Sequence, residues 1–111
     1  MPVTEALLKQ WHRELNEQCF DSTLPDATFY FGLCRDTEVK LDYEALYYGD
    51  SIGRGTIFIN PAYNGTEAKA KACLAHEMIH QWQDLCGLRL DHRAVFNAWC
   101  SHITSITGLV P

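Results

Sequence analysis

Within the stretch 66–86, which contains neither glycine nor proline, His76-Glu77-Met78-Ile79-His80 reads H-E-x-x-H. Residues four apart on a helix lie on one face, a turn from each other. Two imidazoles placed that way can grip one metal ion. Glu77, beside them, can take a proton from a water on that metal. The bland alternative is a pair of hydrogen-bonded histidines on a buried helix. Buried imidazoles need partners, and a single cation would satisfy both at once.

A catalytic zinc needs a third protein ligand and one position left open to water. Glu77 is the last glutamate of the chain, so a downstream glutamate ligand is excluded. A third histidine six residues after the second is excluded too, because that position is Cys86 and Gln83 stands where that pattern has glycine. Cys86 falls on the far side of the helix from His80 and is expected in the core. Asp84, Asp91, His92 and His102 remain. Asp84, one turn from His80, is better placed to accept a hydrogen bond from a ligand than to be one. His102 lies deep in the last helix. His92 follows the bend Gly87-Leu88-Arg89-Leu90-Asp91, which can bring the next helix back alongside, and it is the preferred third ligand from that helix's first turn.

The elements that must position these residues follow from periodicity. Residues 4–20 predict a helix capped by Thr4, with Leu7, Leu8, Trp11, Leu15 and Cys19 at three- and four-residue steps and His12 on its surface. Residues 27–33 alternate as a strand, with Phe29, Phe31 and Leu33 on one face. Residues 38–44 alternate again, and 45–48 continue that strand or begin another. Glycines 49, 53 and 55 mark a turn before a strand over 56–60, which Pro61 ends. Short connections predict a small, mostly antiparallel sheet of three to four strands. The motif helix starts at Asn64 or Thr66 and stops at Gly87, with Cys73, His76, Glu77, His80 and Asp84 on one face and Leu74, Ala75, Met78, Ile79, Trp82 and Leu85 on the other. A last helix is expected from Asp91, as its N-cap, to about Thr107.

The 111 residues make one domain, spanning 1–111, and the charge of −5 with no basic run is a poor match for a phosphate backbone. Five widely spaced cysteines without C-x-x-C predict free thiols and a cytoplasmic setting. No signal-peptide pattern and no apolar run of membrane-spanning length is present.

The run H-E-M-I-H-Q-W-Q, a short connection and then D-H-R-A-V-F-N-A-W resembles the SprT-like zinc metalloprotease domain, the family of the Spartan-type proteases. The strand G-R-G-T-I-F-I-N over 53–60, the first helix and Leu24-Pro25 fit as well, so the similarity spans about 7–103. The family's third ligand is a histidine four before a phenylalanine, as His92 is before Phe96. Asp91 departs from the glycine common before that histidine.

The resemblance implies an α+β, zincin-like fold, with an N-terminal helix, the small sheet, the H-E-x-x-H helix and a C-terminal helix. It implies Zn2+ on His76, His80 and His92, with Glu77 as general base for hydrolysis of protein or peptide substrates. Some members act on DNA-crosslinked proteins through DNA-binding extensions. These residues show none and the charge does not replace them, so DNA association is implied by resemblance alone. An extended substrate is expected to pair with the strand at 56–60. Tyr47, Tyr48, Tyr63 and Arg54 are candidate oxyanion partners, though aromatic residues beside strands more often pack. The rival reading is a zinc-binding adaptor or regulatory module without general proteolysis, in which Glu77 is dispensable.

Overall fold

The computed structural model describes residues 2–32 and 43–111. Their elements run α1 (Glu5–Cys19), β1 (Thr28–Phe31), β2 (Ala45–Tyr48), β3 (Thr56–Ile59), α2 (Glu67–Leu85) and α3 (Ala94–Thr107). This is the expected α+β arrangement, with the motif on α2. Most of the strand expected over 38–44, together with Leu33 and Cys34, lies outside the described residues.

The strand order is β1-β3-β2. The pair β2–β3 is antiparallel, with Tyr47 opposite Ile57, and β1–β3 is parallel, with Phe29 opposite Ile57. The sheet is therefore mixed rather than mostly antiparallel. The loop 49–55 is short enough to force a hairpin. The chain between β1 and β3 is long enough to return and run in the same direction. β3 is thus the central strand, and the edge expected to receive a substrate at 56–60 is already paired on both sides. Among the described residues the free edges belong to β1 and β2.

Alternation puts Phe29, Tyr47, Ile57 and Ile59 on the buried face, while Tyr30 and Tyr48 face outward. α1 lies against β1, α2 against β2 and β3, and α3 packs on α1 and α2. Leu74, Met78 and Ile79 of α2 are fully buried, and each stabilises the fold by about 1.5–3 kcal/mol. That apolar anchoring lets the same helix carry Glu77, Gln81 and Gln83 into the interior. Among the described residues no helix is long and apolar enough to cross a membrane.

The helix starts show which capping chemistry won. Thr4 accepts a hydrogen bond from the Leu7 amide at 3.1 Å, and Thr66 does the same for Lys69 at 3.2 Å. Asn64 is instead buried, donating to the carbonyls of Asn60 at 2.7 Å and Glu44 at 2.9 Å. α3 begins two residues later than expected, with Arg93 rather than Asp91 at its N-cap position. Asp91 is not its cap, because the Asp91 carboxylate accepts from the Arg93 amide at 3.2 Å and holds a tight turn that competes with the helix. His92 therefore sits on that turn, just before the helix. Gly87 has a φ of 71°, the left-handed stop expected for α2.

Two burial expectations are overturned. Cys86 is exposed, because it caps α2 where the helix leaves the core. His12 is buried, facing α2 on the same stripe as Leu8, Leu15 and Cys19. Its Nε2 lies 2.8 Å from Gln81 Oε1, and its ring meets the edge of Phe29 at 5.1 Å. Gln81 donates from its amide nitrogen to the carbonyls of Pro25 and Gly53, each at 2.8 Å. Its oxygen must then face His12, which donates to it. This polar brace ties α1, α2 and the β2–β3 loop together where the sequence offers only one more apolar helix face.

Candidate metal centre

His76 and His80 occupy one face of α2, and the turn at 91–93 swings His92 over them. His92 Nε2 is 3.1 Å from His76 Nε2 and 3.1 Å from His80 Nε2. One ligand atom from each of the three residues fits within 4.8 Å of the others, so the cluster can hold a metal ion. Zinc–nitrogen bonds of about 2.05 Å at tetrahedral angles would set the nitrogens about 3.3 Å apart, close to the spacing found. His80 Nδ1 faces Gln83 Oε1 at 2.8 Å, so Gln83 meets the nitrogen turned away from the cluster. Without a cation, His92 Nε2–H can donate to only one of the two facing nitrogens at a time, whereas a bound cation would engage all three.

Phe96 is the platform beneath the cluster. Its ring centroid lies 4.7 Å from His76, 5.1 Å from His80 and 4.6 Å from His92. Burial, reinforced by the neighbouring His80 and His92, pushes the His76 pKa down to about 4. Burial also lowers the pKa of His80, against the opposing pull of Gln83. Both rings are thereby kept neutral, the form that binds metal.

Glu77 points from the same turn into the interior, 5% exposed, with Oε2 3.8 Å from His76 Nε2. Burial pushes its pKa up to about 8, partly opposed by a hydrogen bond from the Tyr47 main chain on β2. A cleft of about 210 Å³ opens beside it, lined by Glu44, Ala45, Ala72, Cys73 and His76. Glu44 and Lys69 form an exposed ion pair at 2.7 Å at this cleft.

The other residues singled out from the sequence lie elsewhere. Asp84 does not support a histidine. It accepts from the Tyr47 hydroxyl at 2.6 Å and the Gly53 amide at 3.3 Å, clamping α2 to the β2–β3 hairpin. Gly55 donates to the same hydroxyl at 3.2 Å, and a side chain there would collide with the Tyr48 carbonyl and the Tyr47 ring. The Tyr47 hydroxyl is thus fully engaged, and neither Tyr48, Tyr63 nor Arg54 lines the cleft. His102 accompanies α1 instead, with Nε2 3.1 Å from the Cys19 carbonyl. The contact that sequence reading missed is Gln83 on His80. Its signal was available, since position i+3 shares the helix face. No protein-family model matches the chain, and no curated protein matches it.

The burial of Glu77 has a measurable consequence for the metal-free protein. Between pH 4.5 and about 8 the folded state keeps a proton on Glu77 that the unfolded chain has released. Stability therefore falls as pH rises across that window, by up to about 1.4 kcal/mol per pH unit. His12, His76 and His80 have lowered folded values, so they erode stability only as pH falls below 6.5. The interval from 6.5 to 8 isolates Glu77. Urea midpoints of chelator-treated protein should drop across it, and Glu77→Gln should flatten the drop. An unchanged slope in the variant would assign the effect to another group.

Proposed function

We propose that this chain is a zinc-dependent peptidase of the SprT-like kind, with His76, His80 and His92 as metal ligands and Glu77 as general base. The observation that carries the reading is the convergence of three imidazole nitrogens beside a buried carboxylic acid at the wall of an open cleft. Zinc held there would supply a water acidic enough to attack at neutral pH and would polarise the scissile carbonyl.

Glu77 takes the proton of the attacking water and delivers it to the leaving amine nitrogen. A divalent cation held by the neighbouring histidines would offset the burial that keeps Glu77 protonated in the metal-free fold and favour its carboxylate, the form that accepts a proton. The Tyr47 main chain holds the carboxyl while α2 is clamped to β2 through Asp84. An extended substrate would lie along the edge of β2 left unpaired among the described residues, beside the Tyr47 amide that Glu77 already engages, rather than on β3. Main-chain pairing there would give little sequence selectivity. The charge of −5 favours protein or peptide partners over nucleic acid.

Two measurements test the proposal together. Protein purified without chelator should hold about one zinc per chain. It should cleave an unstructured protein such as denatured casein, lose that activity to chelator and regain it with zinc. A zinc-loaded protein that leaves unstructured proteins and peptide libraries intact would instead be the metal-binding adaptor.

A further inference from the structure

Gln83 is 1% exposed and lies between two parts of the cluster that come from different segments. Its side-chain oxygen is 2.8 Å from His80 Nδ1, and its nitrogen donates to the Asp91 main-chain carbonyl at 3.2 Å. A primary amide has one accepting end and one donating end. The Asp91 carbonyl only accepts, so the amide nitrogen must face it and the oxygen must face His80. An oxygen so placed only accepts, so His80 Nδ1 must carry the hydrogen. In the neutral ring Nε2 is then bare, and Nε2 is the atom turned toward His92 at 3.1 Å.

We propose that Gln83 is a positioning residue with two coupled tasks. It fixes His80 in the tautomer whose Nε2 lone pair faces the cluster. It also tethers the turn that carries His92, through the residue immediately before it. The orientation demanded by the tether is the one that sets the tautomer, so one buried amide aligns ligands from α2 and from the turn before α3. Gln83 uses the main chain of Asp91 and not its side chain, so the tether does not depend on the residue type at 91. This inference rests on the cluster being a metal site but not on peptidase chemistry.

The test uses the full chain with its histidines labelled with nitrogen-15. In metal-free wild type, the His80 ring should show hydrogen on Nδ1 and none on Nε2. Gln83→Leu should lose that preference, and its zinc affinity, measured against a chromophoric chelator, should fall about 10–100-fold. Gln83→Glu separates the tasks. Its carboxylate still accepts from Nδ1 but cannot donate to Asp91, so the tautomer should persist while amide exchange around 88–93 quickens. A folded Gln83→Leu with wild-type tautomer and zinc affinity within about twofold would overturn the proposal. Should that variant not fold, Gln83→Glu decides: unchanged exchange, or a lost tautomer, overturns it. Wild type that binds no zinc would overturn the proposal together with the metal site, whereas zinc-loaded wild type without peptidase activity would leave it standing.

Discussion

Glu77→Gln is expected to lower peptide hydrolysis by about 10²–10⁴-fold while zinc content stays at wild-type level. Glutamine keeps the shape of the side chain and an oxygen for the Tyr47 main-chain donor. It cannot accept the proton of an attacking water. The ligands are untouched, since Glu77 is not one of the three residues whose nitrogens converge. Stability should rise or hold, because the variant removes a group that is costly to ionise where it sits. Turnover and metal content must be measured on the same preparation. Equal, zinc-dependent turnover in variant and wild type would remove Glu77 from the mechanism. Equal absence of turnover, with zinc bound in both, would favour the adaptor.

The second large effect is on the metal itself. Zinc binding of about 10–16 kcal/mol spread over four ligands gives about 2.5–4 kcal/mol each, so His92→Ala should weaken affinity on the order of 10²–10³-fold. The variant should still fold, since His92 is exposed and its loss opens only one side of Phe96. His102→Ala is the matched control. It removes a bond to the Cys19 carbonyl and the contact with Trp99 at 5.6 Å, which costs stability without touching the cluster. Chelator competition should therefore separate the two variants cleanly. Retention of zinc by His92→Ala and its loss from His102→Ala would reverse the ligand assignment.

The residues that meet at the centre were legible because helical spacing is short-range. His76, Glu77 and His80 share a turn, and His92 is reached by one bend. The α+β class, the cap at Thr4 and the stop at Gly87 were legible for the same local reasons, while the choice of Thr66 over Asn64 as the α2 cap was not. What escaped the sequence depended on partners distant along the chain. His12 looked like a surface residue because its partner, Gln81, lies on another helix. Asp84 looked like a support for His80, yet Tyr47 and Gly53 claim it from across the hairpin. The direction of β1 against β3 is decided by a long connection that carries no directional signal in its residue types. Asp91 was read as a helix cap, but the same side chain can close a turn one residue earlier, and local pattern alone does not choose between them.

Among the described residues the outer edge of β2 is unpaired, and the Tyr47 main-chain donor on it is taken by Glu77. An unpaired strand edge is a template on which another chain can grow, and proteins that keep one open guard it with charge or occupy its donors. Glu77 occupies a donor of β2 from within its own fold. Alanine at 77 would vacate that donor together with the base, so a loss of activity in such a variant would be confounded by self-association. Glutamine keeps the guard in place, which makes it the cleaner probe of proton transfer.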